Sequence, residues 1–245
     1  MTLIEIFTKI LENALAQQKA DGSLPAGHNG PYRDPETPVR CTAHYLLAFH
    51  RAAQLTGEER FLRAAKRCLK YLLETDNRGP YNFEHRSKLG KDRCNGLIGP
   101  AWTIEALSEG GRAFNCEEAI GLAQKLFLNH PFNSERGVWQ RIETEGTNLG
   151  EDGTFNHQLW FAASAASLAV KDSDIQSKLI NFLDGLGRNL ALRRSGRIVH
   201  MLQIGSTAYK EKIKCILRPT YRRYIEQKEN GYHAFNTLAF GLLKR

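Results

Sequence analysis

Apolar residues fall along this chain in two alternating styles. Thr2 and Glu5 fit a capping box, and Leu3, Ile6, Ile10 and Leu11 then make one apolar helical face that runs to about Lys19. A loop rich in Gly, Pro and Asn follows from Asp21 to Glu36. Thr37 reads as an N-cap, with Pro38 at the first helical position. The helix from Pro38 to about Leu55 is apolar around most of its circumference, which predicts burial on all sides. Gly57 ends it. The next helix, Glu58 to about Glu74, differs: Arg63, Lys66, Arg67 and Lys70 mark a wet face opposite Phe61, Leu62, Leu69 and Leu72.

This pair recurs. Gly99 to Ala113 is mainly apolar again, and Glu117 to about Asn129 is amphipathic. Asn156 to Val170 is the segment richest in apolar and small residues, and Asp174 to about Leu190 turns Ile175, Leu179, Phe182 and Leu183 inward. A last apolar helix is predicted from near Tyr232 to the end. The connections repeat as well. Gly30-Pro31-Tyr32 returns as Gly79-Pro80-Tyr81, and Gly137-Val138-Trp139 holds the corresponding place one repeat later. The period is roughly 50–60 residues, enough for two helices and a long loop. Val138 to Glu143 and Arg197 to Ile204 read as short strands decorating those loops.

A helix that is apolar all round must be covered on every side, and a helix with one wet face covers it from outside. Alternating the two types predicts an all-α fold, a ring of helical hairpins in one domain over residues 1–245. A plain bundle or solenoid is the simpler alternative. Long loops without regular structure are usually functional. Here they precede the inner helices, so that end of the hairpins is where a site is expected.

In this arrangement the chain resembles the (α/α) toroid enzymes of carbohydrate metabolism: six-hairpin glycosidases, unsaturated glucuronyl hydrolases and the N-acylglucosamine 2-epimerase group. The resemblance rests on the hairpin repeat, on Gly-Pro-Tyr before an inner helix, and on two strings at inner-helix starts, Asn95-Gly-Leu-Ile-Gly-Pro-Ala-Trp102 and Phe155-Asn-His-Gln-Leu-Trp160. It implies a carbohydrate-active enzyme with a saccharide substrate, a glycoside hydrolase first and a sugar 2-epimerase or isomerase second. A non-catalytic saccharide-binding or scaffold protein is the third reading. A complete toroid of this kind has six hairpins, whereas four inner helices are read here. The ring is therefore expected to be incomplete, or the chain truncated at its C-terminus. An open ring exposes apolar inner-helix surface, which favours homodimerisation.

Each reading nominates residues. For hydrolysis, two carboxyls must flank the scissile bond. Asp34 lies in the first polar loop, Glu84 and Asp92 in the second, and the glucuronyl-hydrolase resemblance implies an Asp at a position like that of Asp92. For epimerisation, the resemblance implies a pair of histidines that remove and return a proton beside a carbonyl. His44, His157 and His233 are placed near inner-helix starts, either facing one cavity or serving as hydrogen-bonded structural residues. Arg33 and Arg40 suit a substrate carboxylate. Tyr32, Trp102 and Trp139 suit the apolar face of a pyranose, and His85, Asn95 and Gln158 complete the binding set. Glu105, inside an apolar helix, must be paired or reach a cavity.

Composition narrows these readings a little. Lys plus Arg number 34 against 26 Asp plus Glu, a net charge of +8. That favours an anionic partner. The basic clusters Arg193-Arg194-Ser-Gly-Arg197 and Arg218-Pro-Thr-Tyr-Arg222-Arg223-Tyr224 come without any nucleic-acid-binding motif, so they read as solvated surface or a patch for an acidic, uronate-containing glycan. No phosphate-binding loop or dinucleotide fingerprint is present, so no cofactor is expected. The five cysteines lack zinc-ligand spacing, so no metal is expected and the thiols read as reduced. With no signal peptide and no apolar run of membrane length, the expected location is cytoplasmic, without a membrane partner.

Overall fold

The computed structural model describes residues 1–29 and 33–244. They form two compact units. The first comprises Met1–Asn95, Trp102–Asn129 and Ile142–Thr147, and the second Gly96–Ala101, His130–Arg141 and Asn148–Arg245.

In the first unit, α1 (Leu3–Gln17) starts at the predicted capping box. The Glu5 amide donates to Thr2 Oγ1 at 3.2 Å and the Thr2 amide to Glu5 Oε2 at 2.8 Å. Its buried side is narrower than the sequence pattern predicts. Leu11 and Ala14 are covered, while Leu3, Ile6 and Ile10 stay exposed. The two-residue strands β1 (His28–Asn29) and β2 (Asp34–Pro35) pair antiparallel. Helix α2 (Pro38–Thr56) is capped by Thr37 and closed by Gly57, whose φ of +72° suits a residue without Cβ. Helix α3 (Glu59–Glu74) packs along it, burying Phe61, Cys68, Leu69 and Leu72 while its basic residues face out. Helix α4 (Ile98–Phe114), which belongs to this unit from Trp102 onward, carries Pro100 in its first turn, where no intrahelical N–H is needed, and α5 (Glu117–Leu128) follows.

In the second unit, β3 (Phe132–Asn133), β4 (Val138–Ile142) and β5 (Asn148–Glu151) form a small sheet in that order, and β4 matches the strand predicted at Val138. Helix α6 (Phe155–Ala165) has every side chain buried except that of His157, in keeping with its all-round apolar sequence. It packs against α7 (Ser173–Asp184) and the long α10 (Pro219–Leu243). The short α8 (Leu186–Asn189) and α9 (Gly205–Leu217) complete the unit.

Three elements differ from their sequence reading. Helix α6 stops at Ala165, short of Val170. The last helix begins at Pro219, where the proline supplies a helix start, and not near Tyr232; α9 precedes it unforeseen. Arg197 to Ile204 forms no strand, only isolated bridges at Ile198 and Met201. No helix among the described residues is long and apolar enough to cross a membrane.

Candidate functional site

The sequence puts a histidine at the third position of α6, and the loop before that helix supplies its partner. His157 Nδ1 lies 2.8 Å from Asp152 Oδ2. Asp152 is buried, and its carboxylate also accepts the Leu97 amide and the Thr154 amide, each at 3.0 Å. Burial alone would raise this carboxyl. The His157 imidazole and the two amides outweigh burial and hold the carboxyl far below the usual carboxylate range. An ionised Asp152 accepts a proton-bearing Nδ1, which fixes the ring orientation and turns Nε2 away from the carboxylate. The His157 side chain is 25% exposed. Gly96, at φ +65°, makes the approach possible: a Cβ there would sit 2.7 Å from Asp152 Oδ2 and 3.0 Å from His157 Nδ1.

Neighbouring residues brace the dyad. Gln158 is fully buried. Its Oε1 accepts the Trp139 amide at 2.8 Å, and its Nε2 donates to the carbonyls of Trp139 and Asp152 at 2.8 and 2.9 Å. Trp139 has no exposed surface and packs against Phe132, Phe161 and Phe182. Both residues were expected to touch substrate. Their complete burial makes them structural: a ring held on several sides by other rings has no face left for a sugar.

The first unit gathers a second set. Arg40 stacks over Trp102, 4.4 Å from the ring centroid, and pairs with Glu36 at 2.6 Å. The rings of His44 and His85 lie 5.3 and 6.0 Å from Trp102. His85 is buried, and among the described residues neither of its ring nitrogens has a hydrogen-bond partner, nor has Trp102 Nε1. Burial first, then the charges of His44, Arg40 and Arg86, push the pKa of His85 down to about 3. His44 keeps an exposed edge, but crowding by protein and then the Arg40 charge push its pKa down to about 4. Both imidazoles are therefore neutral near pH 7. Glu105 on α4 is pushed up to about 7 by burial and then by Glu109.

The carboxyls nominated for hydrolysis are engaged otherwise. Asp34 is buried and bonded to Lys88 and Lys91, and these two hydrogen bonds lower its pKa. A carboxylate held by two ammonium groups is a poor proton donor. Asp92 pairs with Arg86 at 2.9 Å, and Arg86 also donates to Asn95 Oδ1 at 3.0 Å, so Asp92 and Asn95 staple their loop. Glu84 lies 3.9 Å from Arg93. Arg33 is exposed at φ +47°, and Tyr32 lies outside the described residues. His233 is mid-helix in α10, not near a helix start, so the three histidines do not occupy equivalent positions.

Two contributors escaped the sequence reading. Asp152 sits in a Gly-rich turn, and the one local hint is its Asx-type bond to the Thr154 amide. Glu143 accepts the amides of Arg93, Cys94 and Thr144 at 2.8, 3.1 and 3.0 Å, and it anchors the polar loop.

No family model matches the chain. Among solved structures it is similar to cellobiose 2-epimerase from Bacillus thermoamylovorans B4167, with a TM-score of 0.60 at 16% identity over 81% of this chain and 58% of that one. It is also similar to a D-mannose isomerase, with a TM-score of 0.56 at 14% identity over 82% of this chain and 58% of that one. The chain thus spans well under two thirds of the length of these structures and shares their (α/α) toroid fold. In sequence it is 41% identical over 262 aligned positions to archaeal glycosylation protein Q of Haloferax volcanii, covering 100% of this chain and 71% of that protein. At that identity and coverage, the chain belongs to the family of archaeal glycosylation protein Q.

Proposed function

We propose that this chain is a sugar isomerase or epimerase, in which His157, oriented by Asp152, moves a proton beside a carbonyl. The observation that carries this reading is the 2.8 Å contact between His157 Nδ1 and the ionised Asp152. The lone pair on Nε2 takes the proton from the carbon next to the carbonyl of an open-chain sugar. The C–H electrons form the enediolate double bond, and the carbonyl electrons move onto oxygen. Returning the proton from His157 to the former carbonyl carbon, as the neighbouring hydroxyl proton passes to the former carbonyl oxygen, gives the ketose or aldose isomer and regenerates His157. Epimerisation needs a second acid on the opposite face, which gives its proton to the same carbon while His157 releases its own to solvent. Neither route requires a redox partner. Two structurally similar proteins, a cellobiose 2-epimerase and a D-mannose isomerase, agree with this chemistry. The substrate is a saccharide, and the net charge of +8 favours one that bears a uronate.

Hydrolysis is the second reading, and one observation favours it: the Glu105 carboxyl, pushed up to about 7, has the protonation a general acid needs. The carboxylates nominated from the sequence, Asp34 and Asp92, are committed to ion pairs with Lys88, Lys91 and Arg86.

Turnover of neutral sugars and uronates in D₂O separates the two. Isomerisation or epimerisation leaves deuterium on carbon in the product, and His157→Ala lowers the rate by about 10²–10⁴-fold. Hydrolysis adds one water to the substrate mass. Hydrolytic turnover that survives His157→Ala and is lost with Glu105→Gln would overturn the proposal.

A further inference from the structure

Helix α9 is amphipathic in sequence, but its apolar side is turned away from the protein. Tyr209, Ile213, Ile216 and Leu217 follow the i, i+4, i+7, i+8 spacing of one helical face, and they are 69%, 38%, 78% and 72% exposed. Stripes of this kind normally face a core. Exposed bases flank it: Lys210 and Lys214 on the helix, then Arg218, Arg222 and Arg223 at the start of α10. Glu226 pairs with Arg222 at 3.0 Å, and Tyr221 and Tyr224 stand among these bases. Ile216 continues the stripe into a groove of about 660 Å³ lined by Leu192, Val199, Met201, Leu202 and Ile225.

We infer that this face docks on the surface of a lipid bilayer carrying anionic headgroups. Its chemistry matches that surface on both counts. The aliphatic side chains enter the boundary between headgroups and acyl chains, and the long Lys and Arg side chains reach back to the phosphates. The tyrosines occupy the interfacial level, where an apolar ring with a polar end is at home. A second copy of the chain fits less well, because the face would bring like charges together. A nucleic acid has use for the bases and tyrosines but none for exposed Ile213, Ile216 and Leu217. The contrast with α1 supports the choice. Leu3, Ile4 and Ile10 are exposed there too, but Glu5, Lys9 and Glu12 give that helix no positive bias. This inference is independent of the sugar chemistry proposed above.

The test is flotation of the purified chain with vesicles of phosphatidylcholine, alone or mixed with phosphatidylglycerol. Binding to the anionic vesicles is expected, weakening as salt screens the bases. Ile216→Asp with Leu217→Asp, and separately Lys210→Glu with Lys214→Glu and Arg218→Glu, should each lower partitioning at least about tenfold. Because these side chains are exposed, circular dichroism and thermal midpoints should match the parent chain. Failure of the parent chain to float, equal flotation of parent and variants, or equal binding to pure phosphatidylcholine would each overturn the inference. So would a dimer in vesicle-free solution that Ile216→Asp dissociates, since a second copy would then own the face.

Discussion

One imidazole in each unit makes the contrast, His157 and His85, and the two are held in opposite ways. In the second unit, His157 is oriented by a carboxylate that is itself fixed by two backbone amides. In the first, His85 is enclosed with both ring nitrogens unbonded, next to an unbonded Trp102 indole N–H. A proton-transfer group needs a partner that sets its tautomer. A binding wall needs polar atoms left open for a ligand, at some cost to the empty protein. The residue type is the same, and the surroundings differ.

The largest way to break this contrast is Asp152→Asn. The amide cannot carry the charge that His157 and the two backbone donors are arranged around. Stability should fall by about 2–4 kcal/mol, read by chemical denaturation, and turnover should fall with it. The pH dependence tests the cause. The folded carboxyl lies far below its unfolded value of about 3.9, so its stabilisation is complete above that value and is lost as pH drops through the acid range below it. The gap between parent and variant should therefore close on acidification.

Next in size is Glu105→Gln. The folded group holds its proton up to about 7, whereas the unfolded one releases it at the ordinary 4.5. The parent chain thus loses stability as pH rises between those values, and the glutamine variant does not. Denaturation midpoints should coincide near the lower value and diverge by about 1–3 kcal/mol above the upper one, in favour of the variant. The smallest effect is expected for His85→Phe. Replacing two unbonded nitrogens with a ring of similar shape should leave stability unchanged or raise it by about 1 kcal/mol. Calorimetry should show weaker saccharide binding. A loss of stability instead would mean that the buried imidazole is a structural group after all.

The helical frame was largely legible because its signals are local. Thr2, Thr37 and Pro38 mark helix starts, and the wet face of α3 follows from residue spacing alone. The failures came where charge masked a helix signal. Arg218 to Tyr224 reads as a basic, solvated patch with no helix assigned to it, yet Pro219 begins a 25-residue helix there. The site was legible one residue at a time but not as pairs. His157 could be nominated from its place at a helix start. Asp152, five residues earlier in a turn, could not be matched to it, because that contact depends on how the turn folds back. Asp34 looked like a free carboxylate until tertiary structure brought in Lys88 and Lys91, more than 50 residues away. Sequence spacing says little about such pairings.

Gln158 has a consequence of its own. Its side-chain amide takes both the N–H and the C=O of Trp139, as a peptide group of a neighbouring strand would, close to where β5 ends. A third bond reaches the Asp152 carbonyl. The first turn of α6 is thereby keyed to the sheet, and the residue keyed is the one directly after His157. Exchanging oxygen for nitrogen there, as in glutamate, would turn a donor into a repelling acceptor and free the turn to swivel. The aim of the imidazole thus depends on the register of a sheet to which His157 does not belong.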